Sequence, residues 1–224
     1  MSQTVDDGSS NFNDLPNVQY ENHFLMFKRA GNHAAYLQKV IDYADGSAVE
    51  LACGTGTQAL AVTPYVGLAV GVELDDGRVG LTYSRGRQME ADTTFVRADM
   101  FQTPFPDDAF SVAFNSGVFQ HFDDEGIGAF LDEATRVASD YLVLSVANQW
   151  HVHHGRTTRR MLSHEYWVER FNVRSDLTLV EDGVYGNRLD TAFRSIRGLN
   201  PVWMTRWIAA SVPHPRSWFV LAID

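Results

Sequence analysis

The chain has 224 residues, of which 45% are hydrophobic, enough for one full core but not comfortably for a second catalytic domain. Its formal net charge of −10 argues against a nucleic-acid partner, because phosphate backbones are bound through clustered lysines and arginines. No apolar run approaches the ~20 residues that span a bilayer, so we expect no membrane contact. Cys53 is the only cysteine, which excludes an internal disulfide and favours a reducing, cytoplasmic setting.

The first elements along the chain are a tail and a helical cap. Residues 1–17 are polar and are expected to be a disordered tail, whereas residues 18–224 are expected to form one domain. Near-helical spacing of apolar residues in 18–45 predicts two helices, which Gly31-Asn32 separates.

Strands and helices then alternate over a core that runs from residue 46 to 147. This alternation predicts an α/β fold with a Rossmann-like, mostly parallel, seven-stranded sheet and helices on both faces. The predicted strands are 48–51, 67–74, 94–97, 110–115, 141–147, 177–185 and 217–223. The predicted helices of this part are 58–62, 75–89, 124–138 and 164–171.

The last two predicted strands are separated by a long insertion. Residues 186–214 make a candidate lid or dimer surface, so a homodimer is one expectation. Trp203 and Trp207 stand four residues apart in it, and they either serve that surface or pack a helix onto the sheet.

A glycine-rich turn follows the first core strand. Gly54 and Gly56 allow backbone N–H groups to approach an anionic group that any Cβ would hold off. Glu73 lies nineteen residues beyond Gly54, at the end of the next strand, where a carboxylate can accept hydrogen bonds from both ribose hydroxyls. The turn and Glu73 together predict a site for a nucleotide cofactor.

Several segments together resemble the class I S-adenosylmethionine-dependent methyltransferases of the small-molecule type. They are Glu50-Leu51-Ala52-Cys53-Gly54-Thr55-Gly56, Val72-Glu73-Leu74, Arg97-Ala98-Asp99-Met100, the stretch from Phe105 to Ser111, and the stretch from Asn115 to Phe122. Ala52 stands where the family has its first glycine, and Ser111 stands where an Asp is usual.

The resemblance implies S-adenosyl-L-methionine as cofactor and a role for each matching residue. Glu50, Ala52, Gly54 and Gly56 belong to the loop that cradles the methionine part of the cofactor. The other implied contacts are Glu73 with the ribose, Leu74 and Met100 with the adenine ring, Asp99 with its amino group, and Asn115 and Gly117 beside the cofactor cleft. Tyr20 and His23 either fold over the cofactor or lie on the surface.

His121 lies just past the fourth core strand and is the candidate catalytic base for a hydroxyl or amine acceptor. The alternative is a histidine that shapes the pocket through backbone hydrogen bonds. His151, His153 and His154 follow the next strand and are candidates for contact with substrate. No metal is expected, because no acidic residue falls among these three histidines.

The predicted function is methyl transfer to an oxygen or nitrogen atom of a small molecule. Two alternatives to this function stay open. An NAD(P)-dependent oxidoreductase would also use the pattern Gly54-x-Gly56-x-x-Ala59. A one-domain short-chain dehydrogenase needs a Tyr-x-x-x-Lys pair, however, and no lysine occurs beyond Lys39. The second alternative is a non-catalytic module that binds S-adenosylmethionine, since a fold alone does not establish a reaction.

Overall fold

The computed structural model describes residues 4–5, 33–88, 91–149, 160–186 and 216–224. They form one sheet of eight strands with helices on both faces. The strands are β1 (Thr4–Val5), β2 (Ser47–Leu51), β3 (Leu68–Glu73), β4 (Thr93–Arg97), β5 (Phe110–Ser116), β6 (Ala138–Ala147), β7 (Leu177–Tyr185) and β8 (Arg216–Ile223). The helices are α1 (Ala34–Tyr43), α2 (Thr57–Val62), α3 (Asp76–Gln88), α4 (Asp124–Val137) and α5 (His164–Asn172).

The strand order is β1-β7-β8-β6-β5-β2-β3-β4. Strand β8 runs antiparallel to both of its neighbours, and every other pair is parallel. The predicted mostly parallel seven-stranded sheet is therefore confirmed, and β1 adds an eighth strand. Strand β1 lies in the segment 1–17 expected to be a disordered tail, and it pairs with β7. Its two residues are too few to show an alternating pattern in the sequence.

Strand β6 is longer than its sequence pattern indicates. It begins at Ala138, directly after α4, whereas the apolar pattern places the start at residue 141. Ala138 has extended backbone angles and pairs with Phe110, and the register then shifts before Val112 pairs with Tyr141. At this irregularity Ser139 and Asp140 are both exposed. The start of β6 therefore has no run of apolar residues by which the sequence could indicate a strand.

The sheet separates two hydrophobic clusters. One lies under α4 and α5, and the face of α4 predicted to be buried is buried there: Ile127, Phe130, Leu131, Ala134 and Val137. The other lies under α1 and contains Tyr36, Leu37 and Val40. Because β2, β3, β5 and β6 are parallel, their carboxyl ends share one edge of the sheet, where β7 also ends and β8 begins.

Within the part of the chain that the structure describes, no helix has the length and apolar character needed to cross a membrane.

Candidate active site

The glycine turn between β2 and α2 has a backbone that only small residues tolerate. Ala52, Gly54 and Gly56 all have positive φ angles, of 57°, 59° and 69°. A Cβ on Gly56 would stand 2.7 Å from the Phe95 ring and 2.8 Å from Cγ2 of Thr82, so this position requires glycine. A Cβ on Gly54 would meet no atom of the described residues within 4 Å, so this part of the structure leaves space beside that backbone.

The Glu73 carboxylate ties the turn to the end of β3. Its Oε2 accepts a hydrogen bond from the Gly54 N–H at 2.9 Å, and its Oε1 accepts from the N–H groups of Leu74 and Asp75 at 3.1 and 3.0 Å. A carboxylate offers about four lone-pair sites, so three backbone donors leave about one for a ligand hydroxyl. The Arg78 guanidinium lies 3.9 Å from Oε2.

Glu50 is a buried carboxyl under the same turn. Its Oε2 accepts a hydrogen bond from the Ala59 N–H at 2.8 Å. Burial raises the pKa of Glu50 to about 8; the Ala59 hydrogen bond opposes the rise and the nearby Glu73 charge adds to it. Tyr36 lies near Glu50. Burial holds the pKa of Tyr36 well above its usual value, and the Glu50 charge adds to this rise. A ligand ammonium group beside Glu50 would favour the ionised carboxylate.

Asn115 lies at the carboxyl end of β5 and holds the neighbouring strand. Its side-chain amide donates a hydrogen bond to the carbonyl oxygen of Leu51, the last residue of β2. Its own oxygen, Oδ1, is buried and has no hydrogen-bond partner among the described residues. A buried acceptor of this kind is costly to leave unpaired, which is consistent with a ligand that donates to it.

The chain turns sharply after β5. Gly117 has a φ of 84°, and its N–H donates to the Ser145 carbonyl at 3.0 Å. The amide nitrogen of Gln120 donates to the Gly117 carbonyl at 2.7 Å, and the Gln120 carbonyl accepts from the Arg160 N–H at 2.9 Å. His121 is the last residue of the short 3₁₀ helix Phe119–His121 and is exposed at this edge of the sheet.

The residues predicted to contact adenine follow β3 and β4. The side chain of Leu74 is 56% exposed although it directly follows a buried strand, and Met100 is half-buried. The Asp99 carboxylate is exposed and accepts a hydrogen bond from the Phe101 N–H at 3.0 Å. Arg97 is held by Asp76 at 2.6 Å, which fastens this strand end to the start of α3.

Cys53 packs inside the turn. It is buried, and burial raises the pKa of its thiol well above the usual range, with the charges of Glu50 and Glu73 adding to the rise. A thiol in such surroundings is a small packing residue rather than a nucleophile.

Some predicted residues lie outside the described ranges: Tyr20, His23, His151, His153, His154, Trp203 and Trp207. The insertion 186–214 also lies outside them, except for Gly186. In the described ranges, no group of three or more His, Cys, Asp or Glu side chains is arranged to hold a metal ion.

The sequence patterns missed one group of polar residues at the same edge of the sheet. The Nδ1 atom of His33 lies 2.9 Å from the Tyr185 hydroxyl, and that hydroxyl lies 2.5 Å from Oγ of Ser145. His33 and Tyr185 stand 152 positions apart in the chain, so no local spacing could have revealed the contact.

Comparison with known proteins assigns the turn and the sheet edge to one family. Residues 48–140 match the family model described as "Methyltransferase domain", which spans the glycine turn, Glu73, Asp99 and the segment after β5. These residues form a methyltransferase domain. A methyltransferase domain counts against the nicotinamide-dependent alternative.

Solved structures share the fold of this methyltransferase. A protein described as PH0226 from Pyrococcus horikoshii OT3 has 13% identity and a TM-score of 0.64, with 93% of this chain and 94% of that chain covered. A SAM-dependent methyltransferase from Aquifex aeolicus has 11% identity and a TM-score of 0.63, with 96% and 99% covered. The geranyl diphosphate C-methyltransferase of Streptomyces coelicolor A3(2), solved with S-adenosyl-L-homocysteine, has 13% identity and a TM-score of 0.63, with 94% and 83% covered.

At these identities the likeness establishes the fold alone. No curated protein matches the chain. The residues at the site nevertheless fit the cofactor, because the open side of Gly54, the unpaired Oδ1 of Asn115 and the buried Glu50 carboxyl all lie at one edge of the sheet.

Proposed function

We propose that this methyltransferase acts on a small-molecule acceptor and methylates an oxygen or a nitrogen atom. The proposal rests on two histidines, His33 and His121, each of which lies near the sheet edge that also bears the glycine turn. Methylation of a hydroxyl or amine group releases a proton, and a side chain that accepts a proton is useful there.

We propose that the methionine part of the cofactor binds along Glu50, Ala52, Gly54 and Gly56. The open space beside Gly54 supports this arrangement, since a ligand can approach the backbone there. The raised pKa of Glu50 supports it as well, because a bound ammonium group would compensate a carboxylate that burial otherwise penalises.

The rest of the cofactor is proposed to extend toward β3 and β4. Glu73 would accept a hydrogen bond from the ribose, with the lone-pair site that its three backbone donors leave. Leu74 and Met100 would pack along the adenine, and the exposure of Leu74 supports a contact with a flat apolar ring. Asp99 would accept from the adenine amino group.

Three more residues complete the proposed cofactor site. Asn115 and Gly117 would line one side of the cleft, and the unpaired Oδ1 of Asn115 supports this role. Tyr20 would fold over the cofactor from the helical cap 18–45.

The bound cofactor supplies a methyl group on a positively charged sulfur, which becomes neutral on transfer. The protein therefore mainly has to align donor and acceptor and keep water away. His121 is the proposed catalytic base, with backbone shaping of the pocket as its alternative role. We expect His121→Gln to lower turnover at least about a hundredfold while the affinity for S-adenosylhomocysteine stays unchanged. Near-normal turnover would assign His121 to shaping the pocket.

A small acceptor, rather than a nucleic acid, is supported by the net charge of −10. The segment Asn115-Ser116-Gly117-Val118 also lacks the Asn-Pro-Pro-aromatic motif of amino-group methylation on nucleobases. We further propose one methyltransferase domain over 18–224, a lid or homodimer surface in 186–214, and a cytoplasmic location.

The experiment is methyl transfer from S-adenosylmethionine labelled in its methyl group. Pools of small phenols, alcohols, amines and carbon acids are compared with duplex DNA and transfer RNA as acceptors. The proposal predicts label in a small hydroxyl or amine compound and none in nucleic acid. Label only in a carbon acid or only in nucleic acid would contradict it.

A further inference from the structure

A cluster of polar side chains at the carboxyl edge, on the α1 side of the sheet, has no part in the proposed cofactor site. We call His33, Ser116, Ser145, Tyr185 and Arg216 the His33 cluster. Nδ1 of His33 lies 2.9 Å from the Tyr185 hydroxyl and 3.4 Å from Oγ of Ser116, and the Tyr185 hydroxyl lies 2.5 Å from Oγ of Ser145. The Arg216 guanidinium acts electrostatically on both His33 and Tyr185.

The His33 cluster begins where the proposed methionine site ends. The His33 ring meets the rings of Tyr36 and Tyr185 edge-on, with centroids 6.3 and 5.9 Å away. Tyr36 in turn adjoins Glu50, whose charge reinforces the raised pKa of the Tyr36 hydroxyl. One side of the sheet thus carries Glu50, Tyr36, His33 and Tyr185 in a continuous series.

The burial of the cluster changes along this series. Tyr185 and Ser145 are buried, whereas His33, Ser116 and Arg216 are half-buried. The buried members contact the Nδ1 side of the imidazole, and the half-buried members keep part of their surface exposed. Among the described residues, the cluster therefore combines a buried, hydrogen-bonded side with a partly exposed one.

The charges of the cluster select for a neutral or anionic partner. Burial and, to a smaller extent, the Arg216 charge together lower the pKa of His33 to about 3, so the imidazole is neutral at physiological pH. The same guanidinium disfavours a protonated amine at this position and favours a hydroxyl group that loses its proton.

We propose that His33 is a catalytic residue that accepts the proton of a hydroxyl acceptor at Nε2, and that Tyr185 is a positioning residue that holds Nδ1. This inference rests on the proposed function and narrows it to methylation on oxygen. His33 then receives the acceptor proton, His121 takes its alternative role of shaping the pocket, and near-normal turnover is the result that this narrower proposal expects for His121→Gln.

The reaction moves one methyl group from sulfur to oxygen and one proton from oxygen to His33. The acceptor oxygen forms a bond to the methyl carbon, and the carbon–sulfur bond breaks with its electron pair left on sulfur. The hydroxyl hydrogen leaves the oxygen as a proton and binds to Nε2 of His33. A weakly basic imidazole suffices, because a hydroxyl oxygen that has gained a methyl group is far more acidic than an imidazolium ion.

This role fixes the direction of the hydrogen bonds. A free lone pair on Nε2 requires that Nδ1–H donates to the Tyr185 oxygen. The Tyr185 O–H then donates to Oγ of Ser145. The opposite direction would place the proton on Nε2 and leave no atom on the ring to accept another.

The first test is the tautomer of His33 in the full chain with S-adenosylhomocysteine bound, read from the ring nitrogen shifts by NMR. The proposal predicts protonation at Nδ1 and a loss of this preference in Tyr185→Phe. Tyr83→Phe is the matched control, because it removes a tyrosine hydroxyl that donates to the Phe95 carbonyl, away from the cluster. Protonation at Nε2 in the unaltered protein overturns the proposal.

The second test uses 4-nitrophenol and benzylamine as probes of the S-adenosylhomocysteine complex. His33→Asn retains an amide nitrogen near the place of Nδ1 but has no atom in the place of Nε2. We expect 4-nitrophenol to bind in preference to benzylamine, and its affinity to fall at least about tenfold in His33→Asn. Affinity for S-adenosylhomocysteine should stay within about twofold, since His33 does not touch the cofactor in this proposal.

Three results would overturn the proposal. They are equal affinity of 4-nitrophenol for the unaltered protein and for His33→Asn, no binding of 4-nitrophenol to the unaltered protein, and tighter binding of benzylamine than of 4-nitrophenol. If S-adenosylhomocysteine itself does not bind, the proposed cofactor site fails instead. The two failures are therefore distinguishable.

Discussion

Replacement of Glu50 by glutamine should remove a large pH-dependent penalty on the stability of the cofactor-free protein. Glu50 is buried beneath the glycine turn, and burial raises the pKa of its carboxyl from 4.5 to about 8. At 1.36 kcal/mol per pKa unit, this rise costs the ionised folded state roughly 5 kcal/mol. Glutamine has nearly the same shape and carries no such cost.

The sign of the effect follows from proton binding. Between about pH 4.5 and pH 8 the folded protein keeps the Glu50 proton and the unfolded chain has released it. Because the folded state binds more protons there, the free energy of unfolding falls as the pH rises through this window. Above about pH 8 both states are ionised, and the Glu50 penalty is constant.

The assay is urea unfolding of the cofactor-free protein between about pH 5 and pH 9. Glu50→Gln should nearly match the unaltered protein at the acidic end and exceed it by several kcal/mol at the basic end. Glu181→Gln serves as the control, because Glu181 is partly exposed and pairs with Lys39 at 2.8 Å. Loss of that surface pair should change stability by less than about 1 kcal/mol.

Parallel stability curves for Glu50→Gln and the unaltered protein would refute the reasoning. They would mean that Glu50 ionises freely in the fold, and that its carboxylate needs no ammonium partner. The account also expects Glu50→Gln to bind S-adenosylhomocysteine more weakly, so stability and affinity should change in opposite directions above about pH 8.

Three further predictions concern the glycine turn. Glu73→Ala should weaken S-adenosylmethionine binding by roughly 1–3 kcal/mol in a calorimetric titration, the range for a lost hydrogen bond that leaves a buried partner unpaired; unchanged affinity would exclude Glu73 from the site. Gly56→Ala should lower the free energy of unfolding by at least about 1 kcal/mol, because the new Cβ meets Phe95 and Thr82 at a φ of 69°; an equally stable variant would contradict this. Cys53 should react far more slowly than free cysteine with a thiol reagent, and rapid labelling of the folded protein would contradict its burial.

The order of the core elements could be predicted because apolar runs and glycine turns are local signals. The strand that ends at Leu51, the turn at Gly54 and Gly56, and the next strand that ends at Glu73 all lie where the pattern indicates. Even α3 forms as expected despite three glycines. Its first turn is capped by Asp75, whose carboxylate accepts from the Arg78 N–H at 2.9 Å.

The contacts that complete the site could not be predicted in the same way. The Gly54 N–H bonds the Glu73 carboxylate, so Glu73 holds the turn in place as well as being a candidate ribose ligand. The His33 cluster joins the residue that precedes α1 with residues from β5, β6, β7 and β8, which only the folded sheet brings together. Strand β1 was missed because a two-residue strand is defined by its partner rather than by its own sequence.

The most direct test of the account is a calorimetric titration of the protein with S-adenosylhomocysteine and, separately, with NAD. The account predicts one molecule of S-adenosylhomocysteine bound per chain at micromolar affinity, and no heat of binding for NAD. Binding of NAD without binding of S-adenosylhomocysteine would contradict it.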